Sequence, residues 1–395
     1  MSLLMDKLNR ILQLFSVTLL HVVQFSGATH IPGIIILYQL FFYTPLWPFV
    51  LLYVSWTYLA EWKTPERGGR DYLRNFTRRL SIFKFMRDYY PITLVKTSDL
   101  DPQKNYIFGY HPHGVFTEGA SIGLNTEACG FSEKFPGIIP HLSVTSVILK
   151  PLLYRDVLMS LGVIDVSRHS LEYNLTQKGT GHSVVIVVGG AAEIREMGFD
   201  SYALIVKRRK GFIKLALQTG LVYDSEFLLS YTTVNHLMLQ SSYLSFILSV
   251  LIIPGISLLV VGIVIRFRSS NTQSFETDCN QMKMLIIFRS DLVPVFGFGQ
   301  NNLYRDIIGG SRVSQYSRLQ LWLSNFTSWL RTCFLPSRSP INVVVGSPIS
   351  VSKDENPTQE EIDKLHARYI DELKELYEKN KENYHPSERS ELLII

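Results

Sequence analysis

His111-Pro112-His113-Gly114 places two imidazoles behind the apolar run Tyr106-Ile107-Phe108-Gly109-Tyr110. Proline at 112 biases its predecessor toward extended geometry, and side chains two apart on an extended backbone share a face. His111 and His113 are therefore expected to point the same way. Gly114 lets a substrate approach the backbone closely. A neutral imidazole in an apolar site takes a proton from an alcohol near neutral pH, a role worth ~10²–10⁴ in rate. Beside a thioester, that is acyl-transfer chemistry. Packed imidazoles, or a His-x-His metal edge, fit the same four residues. A zinc site needs further ligands, and Cys129, Cys279 and Cys333 lack paired spacing, so no metal is expected. Three isolated cysteines also offer no disulfide framework, as in a reducing compartment.

Two further groups carry chemistry. Val184-Val185-Ile186-Val187-Val188 reads as a buried strand that opens into Gly189-Gly190-Ala191-Ala192-Glu193. Two glycines there free backbone N–H groups for a phosphate or an oxyanion, with a carboxylate close behind; a tight strand exit is the plainer reading. Lys207-Arg208-Arg209-Lys210-Gly211 precedes Phe212–Gly220, an amphipathic helical pattern closed by glycine. Four cations suit the phosphates of coenzyme A, or form a solvated basic turn. Nucleic acid is not expected, because the net charge is only +5 and no nucleic-acid motif accompanies the cluster.

The elements that must position these groups follow from hydropathy. Beyond residue 90, short apolar strands alternate with helical stretches, which predicts an α/β fold with a sheet flanked by helices. Ahead of it, Ile11 to Ala60 holds no Lys, Arg, Asp or Glu. One crossing needs ~20 apolar residues, so this stretch predicts a membrane hairpin within residues 1–62, broken at Gly27–Gly33. Lys7 and Arg10 before it, and Lys63, Arg67, Arg70, Arg74, Arg78, Arg79, Lys84 and Arg87 after it, place both ends in the cytoplasm. That basic run is read as resting on anionic headgroups or as a solvated face.

The chain resembles the diacylglycerol acyltransferase 2 family, which includes monoacylglycerol and wax-alcohol acyltransferases. The resemblance rests on Tyr89-Tyr90-Pro91, Gly109 to Gly114, Thr126-Glu127-Ala128, Phe135-Pro136-Gly137, Val166-Ser167-Arg168, Gly189 to Glu193, Arg209-Lys210-Gly211-Phe212, Asp291 to Asn301 and Val344 to Ile349, in that order. It implies an acyltransferase-like mixed sheet, and transfer of a fatty acyl group from acyl-coenzyme A, as co-substrate, to a diacylglycerol hydroxyl without a metal. Monoacylglycerol and wax alcohols are alternative acceptors. It implies an endoplasmic reticulum membrane setting, with lipid droplets a further location, membrane lipid as partner and homo-oligomers left open. Carried onto this chain, His113 is the expected base, with His111 and Glu193 as further catalytic candidates. Pro112, Gly114, Gly189, Gly190, Arg208, Arg209 and Lys210 would face substrate. Glu118, five residues after His113, repeats a histidine-to-acid spacing of another acyltransferase superfamily; the alternative is a solvated carboxylate.

Two stretches depart from that family. Residues 221–290 form an apolar insertion containing the uncharged run Leu244 to Ile265, dividing an acyltransferase domain of 63–220 and 291–395. The stretch between Leu330 and Pro340 is shortened. Both make a catalytically impaired, lipid-binding or regulatory isoform the rival expectation. At the carboxyl end, Thr358-Gln359-Glu360-Glu361 is a capping box, and Ile362, Leu365, Tyr369, Leu373 and Leu376 recur at helical spacing, predicting a structural helix packed on the sheet. The sequons at Asn75, Asn174 and Asn325 are expected to be unused in a cytosolic domain.

Overall fold

A computed structural model describes residues 2–196, 201–219, 222–223, 286–287, 290–304, 336–352, 354, 356–384 and 391–395. The chain divides into two compact units, Met1–Gly220 with Arg289–Ile395, and Leu221–Phe288. In the second unit β7 (Val222–Tyr223) pairs antiparallel with β8 (Ile286–Ile287), so the two ends of that segment meet. The run Leu244 to Ile265 lies outside the described residues, as do Asn325 and Leu330 to Leu335 of the shortened stretch.

The first unit is built on a mixed sheet in the order β1-β10-β9-β2-β5-β3-β4. Its strands are β1 (Ile92–Lys96), β2 (Asn105–His111), β3 (Ile139–Val144), β4 (Ile164–Asp165), β5 (His182–Val187), β9 (Ser290–Phe298) and β10 (Ile341–Val345). A two-stranded parallel pair, β6 (Ser201–Leu204) with β11 (Glu391–Ile394), stands apart. Within the seven-stranded sheet β9 and β10 are the one antiparallel pair of neighbouring strands. β2 and β9 are buried along their whole length, as continuous apolar runs at a sheet centre should be. They pair in parallel from Asn105↔Ser290 to His111↔Phe296. Ser290, which sequence assigned to the insertion, thus opens a central strand.

Alternate residues of β2 feed two cores. Tyr106, Phe108 and Tyr110 pack with Phe83, Met86 and Tyr89 of α5 (Ser81–Tyr89) and with Val17 of α1 (Ser2–Thr29). Ile107 packs on the other face, where α8 (Arg168–Thr176), α10 (Gly211–Gln218) and α11 (Gln359–Tyr384) lie. The capping box forms as predicted: the Thr358 N–H donates to Glu361 Oε2 at 2.8 Å, and the Glu361 N–H donates back to Thr358 Oγ1 at 3.3 Å. Ile362, Tyr369, Leu373 and Leu376 are buried. Asn174 is buried too, its side-chain amide donating to the Ser170 carbonyl, which leaves no room for a glycan.

The predicted membrane hairpin is not confirmed. Among the described residues no helix is long and apolar enough to cross a membrane. The apolar stretch is instead three helices: α1, α2 (Ile31–Tyr43) and α3 (Trp47–Trp56). His30 adopts a left-handed conformation inside the expected break, and Thr44, held extended before Pro45, makes a second break. At ~1.5 Å per residue, α2 and α3 fall short of a ~30 Å hydrocarbon core. One face of α1 packs along α5 and buries His21. The basic run is corrected in part, for Lys63, Arg67, Arg79 and Lys84 are exposed. Arg74 of α4 (Arg74–Thr77) and Arg78 are buried, and Arg70 ion-pairs with Glu61 and Asp156, so these cations are interior rather than one solvated or headgroup face.

Candidate active site

The C-terminal ends of β2 and β5 lie side by side, Tyr110 pairing with Val187, so the loops that leave them meet. One loop is Pro112-His113-Gly114. The other is Gly189-Gly190-Ala191-Ala192, which runs into α9 (Glu193–Glu196). Glu193 joins them. Its Oε2 accepts the backbone N–H of His113 at 2.8 Å, and its Oε1 accepts that of Ile205 at 2.9 Å. Burial pushes this carboxyl up to about 7 against the pull of both hydrogen bonds and Arg209. Gly189 is required here, because a Cβ would stand 1.9 Å from the Glu193 carboxyl carbon.

The two histidines do not share an environment, contrary to the extended-backbone expectation, because β2 ends at His111. His111 is fully buried, with Nε2 3.0 Å from the Tyr369 hydroxyl of α11. That hydroxyl donates to the Gly109 carbonyl at 3.2 Å, so His111 Nε2 carries the proton toward it. Burial pushes His111 down to about 3, which keeps the ring neutral. His113 is only partly buried. Its Nδ1 lies 2.7 Å from the Gly114 carbonyl, an acceptor, so Nδ1 holds the proton and Nε2 keeps a lone pair. Desolvation pushes His113 below its ordinary value, opposed by the Gly114 hydrogen bond and the charge of Glu118. This arrangement offers one neutral imidazole base on a loop fixed by a buried carboxylate.

Behind the loop lies a polar network that sequence did not assemble. Glu118 is buried rather than solvated: Oε2 accepts from Gln300 Nε2 at 2.6 Å, and Oε1 accepts the Tyr304 hydroxyl. Gln300 Oε1 accepts the Gly119 N–H at 2.9 Å and the Tyr110 hydroxyl at 3.2 Å. His21 of α1 stands 2.8 Å from the Tyr304 hydroxyl and edge-on to Phe116. Gly114, at φ +64°, leaves the space that Gln300 fills.

The basic cluster is divided. Arg209 donates to the Gly189 carbonyl at 3.3 Å, bringing it to the glycine turn. Lys210 pairs with Asp363 of α11 at 2.7 Å, and Arg208 is exposed.

Residues 39–227 and 280–395 match the profile of a family described as diacylglycerol acyltransferase. The chain belongs to the diacylglycerol acyltransferase family. Among its curated relatives, a diacylglycerol O-acyltransferase 2 of Danio rerio is 33% identical, over 89% of this chain and 81% of the relative. An acyl-CoA wax alcohol acyltransferase 1 of Homo sapiens is 36% identical, over 91% and 92%. A 2-acylglycerol O-acyltransferase 3 of Homo sapiens is 32% identical, over 86% and 82%. No solved structure matches this chain.

In this family member the described residues contain no group of three or more metal-ligating side chains. Cys129 donates to the Ile92 carbonyl, and burial pushes its thiol up to about 11, which disfavours a thiolate nucleophile. Cys279 and Cys333 lie outside the described residues.

Proposed function

We propose that this chain esterifies the free hydroxyl of diacylglycerol with the fatty acyl group of acyl-coenzyme A, making triacylglycerol. The observation that carries the reading is the tautomer of His113, whose Nδ1–H is held by the Gly114 carbonyl while Nε2 stays free to accept a proton. The acceptor oxygen attacks the thioester carbonyl as its proton passes to Nε2. The C–S bond then breaks, and the proton returns from Nε2 to the departing thiolate, giving ester and free coenzyme A. Glu193 and His111 act through position: one holds the loop, the other packs on Tyr369. Arg209, with Arg208 beside it, serves the coenzyme A side at the glycine turn.

The names of the relatives support this acceptor class, and the wax-alcohol and 2-acylglycerol relatives keep fatty alcohols and monoacylglycerol in the acceptor panel. β9 pairs with β2 in register and is followed by Gln300 behind Gly114, which supports an active protein over an impaired isoform. Ile34, Phe49 and Leu59 are 62%, 68% and 88% exposed on the amino-terminal stretch, which supports a seat in the endoplasmic reticulum bilayer through α1 to α3. Acyl chain and diglyceride would then arrive from lipid. Microsomes expressing this chain, given labelled acyl-coenzyme A and each acceptor, should form triacylglycerol. His113→Ala should abolish it while the protein stays in the membrane fraction; retained turnover sinks the assignment.

A further inference from the structure

At the opposite end of the sheet from the histidine loop is a polar cavity of about 340 Å³. Its walls come from the starts of β3 and β5, at Ile139 and His182, and from the turn of α4, with Arg74, Arg78 and Arg79. β5 separates it from the Gly189 turn by roughly 20 Å, at ~3.3 Å per residue.

The charges in this cavity do not balance. Asp71 is paired with Lys178 at 2.7 Å and Glu127 with Arg78 at 3.2 Å, so both wall carboxylates are engaged. Arg74 is 5% exposed, yet no carboxylate among the described residues lies within ion-pair distance of it. Its one polar side-chain contact among those residues is His141 Nε2, 3.4 Å from Nη1. Asp71 and Glu127 favour its charge from beyond contact distance while burial opposes it. Burying a cation with no counter-ion in contact is costly, so such a group is expected to find an anion.

The slot for Arg74 is built. Gly162 lacks the side chain that would collide with it: a Cβ there would stand 2.3 Å from Arg74 Cδ. His141 is fully buried behind the guanidinium, with Nε2 3.0 Å from His182 Nδ1 and the two rings stacked at 5.3 Å. Burial first, and then the neighbouring Lys178 and Arg74, push both imidazoles below their ordinary range, so the pair adds no charge to compete for the anion. Arg79 brings a second cation to the wall.

We infer that this cavity is a binding site for a phosphate group, recognised by Arg74 and Arg79 and separate from the acyl-transfer site. Guanidinium forks match phosphate oxygens bidentately, and the cavity volume suits a small anionic headgroup. The rim agrees with a phosphate carried on lipid: Leu73, Phe76 and Leu80 on the same stretch are exposed, Phe76 by 69%. A free phosphate satisfies the same guanidiniums, so the two sources must be told apart by experiment.

Full-length protein in neutral detergent is titrated calorimetrically, in one arm with inorganic pyrophosphate and in another with phosphatidate in mixed micelles, with micelles of the neutral detergent alone as the control. Saturable binding of either phosphate compound, absent with the lipid-free micelles, is expected, and whichever arm binds tighter identifies the source. Arg79→Glu, on the exposed wall, should weaken binding by at least about tenfold. Arg74→Lys, which keeps the charge but not the fork, should weaken it less. Unliganded melting curves confirm that each variant is folded. Affinity in His113→Ala should equal wild type, so failure of the acyl-transfer reading leaves this test unaffected. Absence of binding in both arms overturns the inference. So does affinity that survives Arg79→Glu or is lost in Arg208→Glu instead.

Discussion

The Glu193 carboxylate accepts the backbone N–H of His113 at 2.8 Å across eighty residues of sequence, tying the loop after β5 to the loop after β2. Its second oxygen is engaged by Ile205, so both ends of the carboxylate are spent on backbone. Such a group fixes where an imidazole stands.

That burial has a pH signature. The folded-state value of Glu193, about 7, lies above its ordinary 4.5, so ionisation costs the native protein something the unfolded chain does not feel. The contribution is fully present below pH 4.5 and lost as pH rises through 7, to the extent of about 3 kcal/mol at most. Glu193→Gln cannot ionise. Denaturant midpoints of wild type and Glu193→Gln, taken from pH 5 to pH 8, should therefore move in favour of the variant as pH increases. Any constant cost of the new amide cancels in that comparison, and a difference that stays flat with pH contradicts the assignment.

The glycines of the two loops are expected to be intolerant for different reasons. Gly189→Ala drives a methyl into the Glu193 carboxyl, and Gly114→Ala meets Gln300 Nε2 at 2.6 Å with φ in the left-handed region. The first should detach His113 from its tether and lower kcat with little change in global stability. The second combines overpacking with backbone strain and should cost about 1–3 kcal/mol in thermal unfolding. Equal effects of both on melting and turnover would remove the distinction.

Tyr369 gives the buried histidine its only polar contact on the Nε2 side, since His111 Nδ1 has no partner among the described residues. Tyr369→Phe leaves a buried N–H unmet, at a cost of about 1–3 kcal/mol. It should reduce stability by that amount, with kcat falling far less than in His113→Ala. A His113-like collapse of kcat in a well-folded Tyr369→Phe protein would instead put His111 in the chemistry.

How much of this was legible in sequence depends on the range of the contact. The Tyr106 to Tyr110 and Val184 to Val188 runs announce β2 and β5 because a central strand is apolar on both faces, and the Thr358 capping box announces α11 because its two bonds span three residues. The role of Tyr369 was missed because helical spacing makes it one core position among several; only the fold brings it to His111, 258 residues away. Glu118 was visible as a spacing but not as buried, since Gln300 and Tyr304, which make burial tolerable, come from 182 and 186 residues downstream. In the apolar stretch before residue 61, lack of charge hid how the chain divides into helices. Its uncharged polar residues mark the division: Thr44 before Pro45 breaks the helix, and His21 marks the buried face of α1.

His21, Tyr304 and Glu118 connect α1 to the loop that carries His113, which makes the amino-terminal helix part of the site's electrostatics. Glu118 makes no hydrogen bond to His113 among the described residues; its charge opposes the desolvation that depresses the imidazole. Glu118→Gln removes that charge and leaves only the Gly114 hydrogen bond to oppose desolvation, so His113 should take up its proton only at still lower pH. Because the neutral ring is the working form, the acidic limb of kcat/KM should move to lower pH, while the weaker base lowers the plateau severalfold. His21→Ala leaves the carboxylate in place and should leave the limb where it is, at some cost in stability from the emptied space under Phe116. An acidic limb unmoved by Glu118→Gln, in protein that melts like wild type, would confine Glu118 to holding Gln300 and Tyr304.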